Sequence, residues 1–194
     1  CFAGTYNPNA SSVNSADCIA ADAGSYVANS GSAEQLLCPV GTYQPAPGQS
    51  SCIDADFGYH VPNEGSTGQI GCSMGSYQGQ RGGTLCNPAD PGYYVDSHFA
   101  SSQTACLAGT YNPSTGSTSS NDCMDANPGY FVENIGSGSQ QACDYGYYQP
   151  NSGGSSCLMA ALGHYVDTQA ANAQIPCEAG TFNSNSGSTT GFAC

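Results

Sequence analysis

The sequence predicts an all-β and largely irregular, disulfide-rich fold, an elongated rod of stacked short β-hairpin repeats. Three observations predict it. A glycine followed two residues later by an aromatic position recurs along the whole chain. The glycines are Gly4, Gly24, Gly41, Gly58, Gly75, Gly92, Gly109, Gly129, Gly146, Gly163 and Gly180, 17 residues apart except for two gaps of 20. The aromatic position holds Tyr6, Tyr26, Tyr43, His60, Tyr77, Tyr94, Tyr111, Phe131, Tyr148, Tyr165 and Phe182. A period this regular marks an array and takes precedence over any local reading. Twelve cysteines at patterned spacing argue for disulfides and an oxidising compartment. Dense Gly, Pro, Ser and Asn, with no sustained 3.6-residue apolar period, excludes helix nearly everywhere and leaves room for a single turn.

The array runs continuously over 1–194, with repeats starting near 1, 21, 38, 55, 72, 89, 106, 126, 143, 160 and 177. Two kinds alternate. One has cysteine three before the glycine (Cys1, Cys38, Cys72, Cys106, Cys143, Cys177) and again eleven or fourteen after it (Cys18, Cys52, Cys86, Cys123, Cys157, Cys194). The other has alanine at the first place (Ala21, Ala55, Ala89, Ala126, Ala160) and glutamine at the second (Gln35, Gln69, Gln103, Gln140, Gln174). Two cysteines lost together and regained together are expected to bond to each other. The predicted pairs are therefore Cys1–Cys18, Cys38–Cys52, Cys72–Cys86, Cys106–Cys123, Cys143–Cys157 and Cys177–Cys194.

Each repeat reads as a short strand carrying the aromatic, a turn, and a short return strand ending in Cys or Gln. The turn is marked by a second glycine seven after the first, with a proline often a few residues before it. The residue after the aromatic alternates between an amide (Asn7, Gln44, Gln78, Asn112, Gln149, Asn183) and a valine (Val27, Val61, Val95, Val132, Val166). A lone two-stranded hairpin is marginal in water, so neighbouring repeats are expected to stack and cover each other's aromatics. Three extra residues between turn and second cysteine lengthen the first, seventh and last repeats as surface loops.

Composition excludes several classes. Only 8% of residues are charged, there is no lysine, Arg81 is the one arginine, and the formal charge is −13. Such a surface repels phosphate backbones and anionic lipid, so no nucleic-acid partner is expected. No apolar run approaches the 18 or so residues of a membrane span, and no secretory signal is present. The start on Cys1, without Met, suggests a segment cut from a longer secreted precursor.

The phrases Cys38-Pro39-Val40-Gly41-Thr42-Tyr43-Gln44-Pro45 through Ser51-Cys52, and Asp90-Pro91-Gly92-Tyr93-Tyr94-Val95 through Gln103-Thr104-Ala105-Cys106, resemble the ephrin-receptor-like cysteine-rich repeat. That repeat is related to the cysteine-rich modules of tumour-necrosis-factor receptors. The likeness covers essentially the whole chain and implies a secreted, disulfide-stapled array without enzymatic activity. The family's usual CxxC start is replaced here by alanine repeats, so receptor-type cross-links are not implied.

Candidate chemistry is sparse. There is no CxxC knuckle for zinc, and His60, His98 and His164 lack regularly placed partners, so no metal site is expected. Asp22, Asp56 and Asp90, with Asn127 at the matching place, are expected to close turns through side-chain hydrogen bonds. Calcium is the alternative ligand for those carboxylates, although no EF-hand loop is present. No catalytic residues are expected: lysine, a Gly-x-Ser-x-Gly elbow, a phosphate-cradling loop and an unpaired cysteine are all absent. Tyr59, Tyr93, Tyr130, Tyr145 and Tyr147 lie outside the ladder and are candidates for contacts between chains. Asn9-Ala10-Ser11 is an N-glycosylation sequon, and Asn121-Asp122-Cys123 a cysteine variant of one. Ser117–Ser120 and Ser186–Thr190 would be accessible to O-linked sugars. The functional expectation is a glycosylated structural subunit of an extracellular filament, sheath or surface fibre, assembling with copies of itself. The alternative is a rod-like ectodomain, spacer or ligand-binding arm, of a cell-surface receptor or adhesin.

Overall fold

The computed structural model describes residues 1–9, 11 and 14–194. Among these residues ten antiparallel hairpins of two-residue strands follow one another, from Thr5–Tyr6 with Ile19–Ala20 to His164–Tyr165 with Ile175–Pro176. Every strand pairs only with its own hairpin partner, and the register is constant. The aromatic faces the residue just past the second Cys or Gln, as in Tyr43↔Ile53 and Tyr26↔Leu36. The return strand therefore follows the Cys or Gln instead of ending on it. The segment before it is bent away by the second glycine, at φ 72° in Gly48 and 68° in Gly65, and bonds a neighbouring repeat.

Each first strand is launched by a tight turn. The amide of Thr42 donates to the carbonyl of Pro39 at 3.0 Å, with Gly41 in third place at φ 82°. That place in a type II turn requires positive φ, and proline suits the place before it, where Pro91 and Pro128 stand. The Thr42 hydroxyl donates to the same Pro39 carbonyl at 2.8 Å.

The three lengthened repeats each spend their extra residues on one 3-10 turn: Ser15–Asp17, Ser120–Asp122 and Gly191–Ala193. Asn14 caps the first through its side chain. Ser119 and Asp122 form a reciprocal capping box on the second. Among the described residues the last repeat, from Cys177, has such a turn but no strand pair.

The chain divides into two compact units, Cys1–Pro88 with Ser97–Ser102, and Ala89–Asp96 with Gln103–Cys194. Within each, main-chain groups couple successive repeats in the same way. Between the third and fourth repeats Gly41 N donates to Val61 O at 2.8 Å, Gln44 N to Ser66 O at 3.0 Å, and Gly65 N back to Cys38 O at 2.8 Å. In the second unit Gly129 N bonds Gln149 O, Val132 N bonds Gly154 O, and Gly153 N returns to Ala126 O. Repeats two apart also touch: a Cβ on Gly41 would overlap the carbonyl of Gly82, and one on Gly24 that of Gly65. Repeats of like kind thus lie against each other.

The core is two files of small side chains. Ala21, Cys38, Ala55 and Cys72 in the first unit, and Ala89, Cys106, Ala126, Cys143 and Ala160 in the second, are at most 1% exposed. Valine and amide alternate beside them, with Val27, Gln44, Val61 and Gln78 buried in the first unit. The ladder aromatics are only half-buried, with Phe182 of the last repeat exposed, and do not form the expected ring stack. Among the described residues the ring contacts are Tyr59 on Phe99 and His98 on Phe99, both in the first unit. The seam between successive repeats is carried by main-chain hydrogen bonds and small buried side chains instead. In the ten paired hairpins each ladder residue lies opposite its cross-strand neighbour, Tyr43 by Ile53 for example.

Candidate functional site

The cysteines form six bonds, Cys1–Cys18, Cys38–Cys52, Cys72–Cys86, Cys106–Cys123, Cys143–Cys157 and Cys177–Cys194, each inside one repeat. In the alternate repeats a glutamine clamp closes the same span. Gln35 Oε1 accepts from Asp22 N at 2.7 Å while its Nε2 donates to the Asp22 carboxylate at 2.7 Å. Gln103 holds Asp90 in the same two ways. Gln69 holds Asp56 at 2.7 and 3.2 Å. Gln140 and Gln174 accept from the amides of Asn127 and Ala161, each at 2.7 Å. The acidic residues read as turn closers therefore act across the repeat, as partners of the glutamine that replaces cysteine. Arg81 lies 3.5 Å from the Asp56 carboxylate and over the Phe57 ring at 5.6 Å.

The buried amides are locked by their own turns. Gln44 donates to Ser51 O at 2.8 Å and accepts from Ala46 N at 3.2 Å. Gln78 and Gln149 repeat the arrangement with Leu85 O and Ser156 O. In the lengthened repeats Asn replaces Gln. Asn112 donates to Ser117 Oγ at 2.7 Å and to Tyr93 O at 3.2 Å, and accepts from Ser114 N at 3.1 Å. Asn183 makes the same set with Ser188, His164 and Asn185. The signal was present in the sequence: Gln accompanies cysteines 14 apart, Asn those 17 apart. Among the described residues no buried side-chain nitrogen or oxygen lacks a partner.

The sixth repeat departs from the pattern. Phe99 replaces the second glycine and keeps its left-handed backbone, φ 60°. Its ring stacks on Tyr59, centroids 5.2 Å apart and 3° from parallel, and fills the place a side chain at Gly71 would need. Phe99 is still 56% exposed. Ala170 takes the same backbone at φ 54°; nothing in the structure explains its choice.

His60, in the aromatic position, points its Nδ1 at Cys86 Sγ, 3.1 Å away. His164 Nδ1 lies 3.1 Å from Leu162 O, and His98 beside Phe99. Asp144 is fully exposed, and the Gln169 side chain, helped by the Tyr145 amide, holds its carboxyl below the usual carboxylate range. Tyr145 and Tyr147 are exposed, while Tyr59, Tyr93 and Tyr130 are half-buried. Asn9 is exposed, its amide bonded to Asn7 Oδ1, and Ala10 of its sequon lies outside the described residues. Among the described residues no helix is long and apolar enough to cross a membrane. No family model matches the chain, and no curated protein matches it.

Proposed function

We propose that this chain is a structural stretch of an extracellular filament, sheath or surface fibre, glycosylated, without catalytic activity, and assembling with further copies of itself. The observation that carries the reading is the seam between repeats. It is built mainly from main-chain groups and glycines, so stacking depends little on side-chain chemistry and can be continued by further repeats of the same design. The six disulfides are typical of secreted proteins. A core without a large side chain is what a protein stapled at intervals can tolerate. The resemblance to ephrin-receptor-like repeats supports the same view. Contacts between copies that do not close on themselves give fibres.

A second reading, a receptor or adhesin arm, is favoured by the exposed Phe99 stacked on Tyr59, the place where one repeat presents something its neighbours do not. Electron microscopy of the protein in its native extracellular material tests both. Fibres of uniform width with an axial repeat are the expected result. Isolated particles, or particles ending at a membrane, would overturn the filament and favour the arm.

A further inference from the structure

Every cystine outside the first repeat belongs to a repeat whose predecessor carries an aromatic position. Tyr94 and Cys123 line one shallow hollow, and Phe131 and Cys157 another. Beside Cys72–Cys86 the same place holds His60, the one ladder residue with an imidazole, a common zinc ligand. Its Nδ1 and the two sulfurs lie mutually within 4.8 Å, and they are the only such group of three among the described residues. While the disulfide is closed, the sulfurs have no thiolate to offer.

We propose that His60, Cys72 and Cys86 form a zinc site that opens when this disulfide is reduced. A dithiol, or a phosphine in vitro, delivers two electrons to the S–S bond, and two protons complete one thiol on each cysteine. The dithiol closes to its cyclic disulfide; the phosphine takes oxygen from water and becomes its oxide. Zinc then displaces both thiol protons to solvent and is held by two thiolates and an imidazole, with a fourth position open to water.

The backbone is prepared for this. Cys72 is positioned by main-chain bonds, its amide on Gly58 O at 2.8 Å and its carbonyl accepting from Phe99 N at 2.9 Å. Ala55, in a repeat with no disulfide, makes the same pair with Gly41 O and Gly82 N. Opening the bond therefore leaves the hairpin's other supports in place. The Cα atoms of Cys72 and Cys86 are 5.7 Å apart. Zinc–sulfur bonds of about 2.3 Å place two thiolates about 3.8 Å apart at tetrahedral angles, a separation that side-chain rotation can supply from that spacing. The other cystines outside the first repeat have tyrosine or phenylalanine in place of the imidazole, and among the described residues none has a third His, Cys, Asp or Glu ligand beside it.

The test is mild reduction of the native chain with a phosphine, with and without zinc, followed by alkylation of free thiols and peptide mapping. Zinc retained after gel filtration is measured on the same samples. The expected result is one zinc per chain, with Cys72 and Cys86 protected from alkylation, and affinity at least tenfold lower in His60→Tyr. That variant restores the tyrosine found at most other repeats, so it is expected to fold. The Cys72→Ala/Cys86→Ala variant should retain no zinc. Wild-type chain that retains no zinc, equal retention by His60→Tyr or by the double variant, or protection spread over the other cysteines would overturn the proposal.

Discussion

At the residue scale the two glycines of a repeat do different work. Both have positive φ, 82° in Gly41, the first glycine of the third repeat, and 69° in Gly82, the second glycine of the fifth, but of these two only Gly41 would bring a Cβ into another backbone. The second place already tolerates Phe99 and Ala170, whereas the first is glycine in all eleven repeats. Gly82→Ala should therefore cost only the left-handed backbone penalty, about 1–2 kcal/mol. Gly41→Ala should cost distinctly more, because two repeats must separate. Denaturant unfolding of the two variants distinguishes them; equal losses would mean that the approach to Gly82 is not tight. The glycine period was plain in the sequence, but nothing there distinguishes a turn requirement from a close approach two repeats away.

At the element scale a hairpin is closed either by a cystine or by a glutamine clamp, and the clamp needs an N–H two residues before the glycine. Ala161 shows that this backbone bond forms without an acidic side chain. Converting Cys72–Cys86 to the Ala/Gln form should succeed, since Ser73 supplies the N–H. The cost should be the disulfide's chain-entropy contribution, about 3 kcal/mol, less about 1 kcal/mol for the bond gained. The same conversion of Cys38–Cys52 meets Pro39, which has no N–H, and should lose about 1 kcal/mol more. Chemical denaturation checks the difference. Both kinds of repeat, and their cysteines, could be read from paired replacement. The clamp was missed because Asp22 and Gln35, 13 residues apart, meet only once the hairpin has closed.

At the scale of the whole molecule, the lack of lysine leaves Arg81–Gly82 as the one bond in this sequence open to trypsin. That bond lies inside the loop closed by Cys72 and Cys86, and Arg81 is held against Asp56 and Phe57. The folded chain should resist trypsin, and the heat-unfolded chain should be cut once. The products should run as one species until reduced and then as two on denaturing gels. Two fragments without reduction would mean that Cys72–Cys86 is open.

The sequence by itself determined the period, the two kinds of repeat, the hairpins and the places of the turns. These follow from local chemistry: glycine where φ is positive, proline where φ is set, cysteines replaced in pairs. Only the tertiary structure decided what is buried. The sequence suggested an aromatic core, yet alanine, cysteine, valine and satisfied amides fill the interior while the rings lie half outside. The reason is the distance between repeats. Main-chain hydrogen bonds of 2.7–3.1 Å in the seam, illustrated by Gly129, Val61 and Gln44, fix the spacing of successive backbones, and small side chains fill the interior at that spacing. That separation is set by atoms common to every residue, so no pattern of side chains announces it.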